Sequence, residues 1–483
     1  MISAPKLLQA RNSICLPNEL FLDLQLDKII SKETIAVLRR PCEKSEITRR
    51  NELFMLLAQA ENIDRLERAL SVLREHEKAL ALLHDTEIPL DRYHRYADVL
   101  QSYIASCETL ASMHDLGSLL ADVADYFCAE NTKQHLAGIK NALQKIKSLL
   151  MQMHKGILSF SADIQLTPDC DAVSEFDRIS AFAQKLGFDI PKKRTQNAKL
   201  NHSLSDALCR LYAKETAQIE NELAKYADTK LDEPTIYIPA FRFFLEIRTL
   251  VRRASEIGVP HCTARIANIC KYSANELYDV SLLAKHCQAI VPNDANFGEH
   301  DAFCFLLGAN GGGKTTYLRA VGINLILFLA GCPVFAKEAE IYPFERIFSH
   351  FPKDERFDNT GRLDEEKKRV EKMLADAQGK AAFLLLNETF SGTDDKRGFE
   401  LLTETVTQIK NNKHFGLYVT HFHEVMTLDL PVLSAEIDSA DKNKRTFRIV
   451  KQKGCASSYA ADILKKYGLD QDSLMARRKK NDN

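Results

Sequence analysis

The sequence predicts a two-part α + α/β chain, an all-helical segment over residues 1–275 followed by an α/β segment over 276–483. Three observations carry this expectation. Up to about residue 275 apolar side chains recur at three- and four-residue spacing, as on one face of a helix. Beyond it, short apolar runs without alternation read as strands covered on both faces, the pattern of a parallel sheet. One of these runs leads through a glycine-rich loop into a helix.

In the first segment Ile63, Leu66, Leu70, Leu73 and Leu80 mark one face of a long helix, interrupted only at Glu77. Ile139, Leu143, Ile146, Leu150 and Met153 mark a second. Phe244, Ile247, Leu250 and Val251, within Phe241 to Ile257, mark a third with arginines opposite. Breaks at Pro168-Asp169, at Ile190 to Arg194 and at Asp232-Glu233-Pro234 mix proline with charge, as loops do. In the second segment Phe303 to Leu307, Ala381 to Leu386 and Phe415 to Val419 are the strand candidates, and Phe399, Leu402, Val406 and Ile409 form a helix stripe. The run Val321 to Ala336 contains Asn324 and falls short of the roughly 20 residues a membrane span needs. It reads as a buried helix.

At 483 residues the chain is long enough for two to four domains. Its 45% hydrophobic and 27% charged residues are those of a soluble globular protein. The 65 basic and 66 acidic side chains nearly cancel, so no global field draws the chain to nucleic acid and any DNA contact must come from local patches. Candidates are Lys192-Lys193-Arg194 and Arg248, Arg252 and Arg253; each also reads as a solvated face. The basic tail Arg477 to Lys480 reads as a solvated terminus. Twelve scattered cysteines without a CxxC pair fit a reduced, cytoplasmic protein without zinc. The segment from Met1 to Lys6 does not lead into a secretory signal, and no membrane association is expected.

Gly308, Ala309, Asn310, Gly311, Gly312, Gly313, Lys314 and Thr315 satisfy the Walker A spacing, between a strand and a helix, with Thr316 next. Such glycines let successive backbone N–H groups surround phosphates, and the helix start adds partial positive charge. Lys314 would reach the β and γ phosphates of ATP, and the Thr315 hydroxyl would hold Mg²⁺. The strand Phe383 to Leu386 then runs into Asn387-Glu388. Glu388 can orient and activate a water as general base, whereas Asn387 offers Mg²⁺ only a neutral oxygen where an aspartate is usual, so hydrolysis should be slow. His421, after the next strand, can hydrogen-bond a γ phosphate.

Together these pieces resemble the ATPase domain of the MutS family, one of the ABC-type ATPases. The resemblance extends through Gly331 to Ile341 with Arg346-Ile347-Phe348, through Asn387 to Asp394, and through Thr420-His421-Phe422-His423-Glu424. Gly454 to Ala460 is similar to the family's Gly-x-x-x-Ser-Tyr-Gly, with alanine in the last place. Ile290-Val291-Pro292-Asn293-Asp294 is similar to the segment that packs on adenine, which makes Ile290 and Val291 adenine-packing candidates. Pro41, Ile47, Arg50, Phe54 and Leu57 match the family's helical core more weakly.

The resemblance implies a homodimer in which a segment of one subunit reaches the partner's γ phosphate. Thr360, Gly361 and Arg362 occupy that slot, without the family's usual Ser-Thr. It also implies a helical core and lever domain, here with the clamp reduced or absent, since the residues before the ATPase are too few for mismatch-reading and connector domains together with a full-length lever and clamp. The expected function is a dimeric DNA-binding ATPase of repair or recombination that couples nucleotide state to lever movement without ordinary mismatch reading. The alternative is a nucleotide-switched protein-interaction clamp with little turnover and no direct DNA role.

Overall fold

A computed structural model of the chain describes residues 5–9, 14–85, 88–162, 208–285, 290–352, 362–391, 395–437 and 445–452. The chain divides into two units, one of Met1–Leu8 with Leu56–Leu245, the other of Gln9–Met55 with Glu246–Asn483. Helices α1 (Asn18–Asp23), α2 (Lys32–Leu38) and α3 (Lys44–Leu56) come first in the chain. Ser31 starts α2 by accepting the Thr34 N–H, which satisfies one of the donors left open in the first turn.

Among the described residues the unit of 56–245 is helical. It holds α4 (Ala60–His84), α5 (Pro89–Ala111), α6 (Ser118–Cys128), α7 (Glu130–Ala162), α8 (Ala213–Ala224) and the start of α9 (Ile238–Glu256). The expected stripes are its core: Leu66, Leu70 and Leu73 of α4 are buried, as are Ile139, Leu143, Ile146, Leu150 and Met153 of α7. The turn of α4 interrupted at Glu77 is filled by His76, which is fully buried. Its Nδ1 stands 2.8 Å from the Ser102 hydroxyl and its Nε2 2.6 Å from the Leu231 carbonyl. The carbonyl only accepts, so Nε2 carries the proton and the hydroxyl donates to Nδ1. The break at Asp232-Glu233-Pro234 enters a 3-10 turn, Glu233–Tyr237.

The other unit holds two sheets. A six-stranded sheet has the order β10 (Arg445–Lys451), β9 (Val432–Ile437), β4 (Phe303–Leu307), β8 (Phe415–Val419), β7 (Ala382–Asn387), β6 (Arg346–His350). Only the β9–β10 pairing is antiparallel. A four-stranded sheet has the order β1 (Arg265–Ile266), β5 (Glu338–Ile341), β2 (Tyr272–Leu277), β3 (Asn293–Phe297).

Helices cover both faces of the larger sheet, which is why its strands show no alternation. Leu384 and Leu386 of β7 pack with Val370 and Leu374 of α11 (Arg362–Ala377) and with Leu402, Val406 and Ile409 of α12 (Asp395–Asn411), where Phe399 is partly buried. The α10 helix (Lys314–Leu329) lies on the opposite face, where its Gly322 meets Leu385.

Two expectations are corrected. The seam expected between residues 275 and 276 falls inside β2, whose Ala274 and Asn275 pair with Ala339 and Glu338 of β5. Residues 9–55 and 246–275 accordingly belong with the α/β unit rather than with the helical one. The run Val321 to Ala336 is helical only to Leu329. Gly331 ends it with φ 71°, and a Cβ there would stand 2.8 Å from Arg50 Cβ. Arg50, only 1% exposed, donates from Nε to Glu46 at 3.0 Å, from Nη1 to the Ala330 carbonyl at 3.0 Å and from Nη2 to the Gln9 carbonyl at 2.9 Å.

Candidate functional site

The glycine-rich loop leaves the C-terminal end of β4, and the parallel neighbours β8 and β7 end at Val419 and Asn387 beside it. Open α/β sheets bind ligands at this edge, where loops diverge and helix N-termini point inward. Gly308, Gly311 and Gly313 have φ of 131°, 74° and 91°, values other residues rarely adopt, and Gly313 is the N-cap of α10. A Cβ at Gly308 would stand 2.8 Å from that of Ala435 on β9. Ala309 and Gly312 close the turn through the Gly312 N–H, which donates to the Ala309 carbonyl at 3.1 Å.

Lys314 is 5% exposed, and its Nζ donates to the Gly308 carbonyl at 2.6 Å and to Asn310 Oδ1 at 3.4 Å. Burial pushes its ammonium below the usual lysine range; Glu388 acts against that shift and Arg445 adds to it. The Thr315 hydroxyl donates to Asn387 Oδ1 at 3.4 Å, and Asn387 is 8% exposed. Mg²⁺ prefers oxygen ligands and keeps several waters, so this hydroxyl and amide oxygen side by side fit it, as neutral donors. Among the described residues no cluster of three or more acidic, histidine or cysteine side chains forms a metal site.

These groups face a cavity of about 550 Å³. Asn310, Gly311, Gly313, Lys314, Thr315, Thr316 and Glu388 line one part of it, and Ile290 and Val291 another. The structure thus brings the two aliphatic candidates to the same cavity as the loop and the glutamate. His421 is not among the lining residues; it is exposed, its ring 4.3 Å from that of Phe422. Thr360 and Gly361 lie outside the described residues, as does the side chain of Arg362, which begins α11. The Lys192 to Arg194 cluster and the segment from Gly454 onward lie outside them too.

Sequence reasoning missed Phe447, which also lines the cavity. It has φ 58°, lies in the β10 stretch where the register with β9 shifts, and remains 47% exposed. A Cβ at Gly313 would stand 3.5 Å from its ring. Asn293 holds this bulge: its Nδ2 donates to the Phe447 carbonyl at 3.0 Å and its Oδ1 accepts the Ile449 N–H at 2.6 Å. A bulge breaks strand alternation, so periodicity carried no sign of it.

Comparison with known proteins places the C-terminal part in a family. The model of MutS domain V matches residues 304–482. The DNA mismatch repair protein MutS of Clostridium tetani is 28% identical over 197 residues, 39% of this chain and 22% of that protein. That of Bacillus licheniformis is 27% identical over 227 residues, 44% of this chain and 25% of that protein. That of Fusobacterium nucleatum is 25% identical over 244 residues, 47% of this chain and 27% of that protein. The chain therefore matches about a quarter of the length of these relatives. No helix among the described residues is long and apolar enough to cross a membrane.

Proposed function

This chain belongs to the MutS family through its C-terminal part, and on that premise we propose that it binds ATP in the cavity beside the glycine-rich loop and hydrolyses it slowly. The observation that carries the reading is one cavity gathering Ile290, Val291, Lys314, Thr315 and Glu388 from three separate stretches of chain. Apolar surface at one part of a cavity and backbone N–H groups of a helix start with a lysine at another suit a base joined to a polyphosphate.

In this reading adenine lies against Ile290 and Val291 with the Phe447 ring available for stacking. The N–H groups from Gly311 to Thr315 surround the phosphates. Lys314 exchanges its bonds to Gly308 and Asn310 for β and γ phosphate oxygens, whose negative charge offsets the desolvation of the buried ammonium. Thr315 and Asn387 would hold Mg²⁺, which when bound neutralises charge on the phosphates. Glu388 orients the attacking water and accepts its proton. Turnover is slow because Asn387 supplies no charge to the metal site. His421 is the candidate for sensing the γ phosphate from beyond the cavity lining.

The relatives named DNA mismatch repair proteins support a role on DNA, and the family relation supports a homodimer completed by Thr360 to Arg362 of the opposite subunit. Nucleotide state would then set the angle of paired helical levers. A nucleotide-switched clamp on a protein partner is the second reading, favoured by the neutral Asn387. Steady-state phosphate release by the wild type and Glu388→Gln separates the two. A wild-type rate that the variant lowers on the order of a hundredfold supports hydrolysis. Equal, near-zero rates with ATP still bound favour the switch, and absence of ATP binding removes both.

A further inference from the structure

The turn that carries Glu388 leaves β7 in a conformation that side-chain-bearing residues avoid, with φ of 47° at Glu388 and 65° at Phe390. Backbone of this kind persists where surrounding groups over-determine it. The surrounding bonds identify those groups. The Glu388 N–H donates to the Val419 carbonyl at 2.8 Å, and the buried Tyr418 hydroxyl donates to the Thr389 carbonyl at 2.8 Å. The Phe390 N–H donates to Glu366 Oε2 at 3.3 Å.

The other Glu366 oxygen lies 3.7 Å from His350 Nε2, and His350 Nδ1 lies 3.0 Å from the Thr389 hydroxyl. Both partners are withdrawn from water, with side-chain exposure of 3% for His350 and 11% for Glu366. The ring is held by the Thr389 hydroxyl at Nδ1, while the carboxylate faces Nε2 across a gap longer than a hydrogen bond. Neither side chain lines the cavity.

We propose that His350 and Glu366 are positioning residues, a buried pair that clamps the Thr389–Phe390 turn and so holds the Glu388 carboxylate towards the cavity. His350 ends β6, and Glu366 stands in the second turn of α11, so the clamp ties three elements to one carboxylate. A shift of α11 along its axis would release the Phe390 N–H and loosen Glu388 without disturbing the phosphate loop. The proposal rests on Glu388 being the residue that orients the attacking water.

The test uses the full chain with Glu366→Ala, which removes the acceptor and the charge, and Glu366→Gln, which keeps the acceptor alone. His350→Leu removes the Thr389 bond, and His350→Asn places an amide where Nδ1 stands. Amide hydrogen exchange over residues 387–391 is read beside phosphate release and the binding of a fluorescent ATP analogue. The clamp predicts faster exchange in Glu366→Ala and His350→Leu, with turnover lower on the order of tenfold to a hundredfold. Analogue affinity stays within about twofold, and His350→Asn and Glu366→Gln recover part of the loss.

In a Glu388→Gln background Glu366→Ala costs no further turnover, since it acts through Glu388. Unchanged exchange in Glu366→Ala and His350→Leu overturns the clamp, as does equal loss of affinity and turnover. If Glu366→Ala does not fold, the comparison of Glu366→Gln with His350→Leu decides in its place. A wild type without turnover contradicts the hydrolysis reading alone; the exchange result then judges the clamp by itself.

Discussion

The Thr315 hydroxyl donates to the side-chain oxygen of Asn387 at 3.4 Å, so the helix that begins at the phosphate loop and the strand that ends at Asn387 meet through two neutral groups. An aspartate in place of Asn387 would set a charged oxygen beside the hydroxyl. Asn387→Asp is expected to tighten Mg²⁺ on the order of tenfold, about 1.4 kcal/mol, and to raise turnover. Magnesium titration of phosphate release checks this, and an unchanged midpoint contradicts it.

Phe447 offers a ring to the cavity from a bulged strand edge. Stacking of a base on an aromatic ring contributes about 1–3 kcal/mol. Phe447→Ala should therefore weaken ATP by that amount and leave inorganic tripolyphosphate unaffected, as read by competition against a fluorescent analogue. Equal weakening of both ligands would place the ring at the phosphates instead.

Arg50 joins residues 9–55 to the end of α10 by donating to the Ala330 and Gln9 carbonyls while pairing with Glu46. Removing one partner of a buried ion pair strands the other, at a cost of about 3–5 kcal/mol. Arg50→Met should lower the unfolding free energy by that amount in urea titration. A loss below about 1 kcal/mol would show that the guanidinium is replaceable there.

Burial lowers the pKa of His76 below its usual 6.5, an effect that outweighs its bond to Leu231 and the nearby Asp232 charge. The unfolded state thus takes up a proton that the folded state resists, so stability falls as pH drops below about 6.5 towards the folded pKa. Above that window both states are neutral and the contribution is constant. His76→Gln should flatten the stability difference between about pH 7.5 and about pH 5.5 relative to wild type, by at most about 1.4 kcal/mol per pH unit. Parallel pH curves for the two proteins would assign the slope to other groups, such as His414, also lowered by burial.

What the sequence revealed and what it hid follow from how local each feature is. The phosphate loop, the Asn387-Glu388 pair and the buried stripes of α7 and α12 are short strings, and the structure has strands and helices where they predict them. Ile290 and Val291 were found by resemblance, since two aliphatic residues carry no chemical pattern of their own. The attachment of residues 9–55 to the α/β unit rests on contacts such as Arg50 with Ala330, 280 positions apart, which leave no period in the chain. The smaller sheet was missed because its strands are two to six residues long and polar, as in Tyr272 to Leu277 and Asn293 to Phe297. His350 and Glu366 were invisible for the same reason as Phe447: each matters through a distant partner.

The most direct test of the account is equilibrium binding of ATP with Mg²⁺ to the full chain and to Lys314→Ala. The account predicts saturable binding by the wild type that Lys314→Ala weakens on the order of a hundredfold, since a charge-assisted bond to phosphate contributes about 1.5–3 kcal/mol. Equal affinity in the two proteins, or no saturable binding to the wild type, would contradict the assignment of the cavity as a nucleotide site.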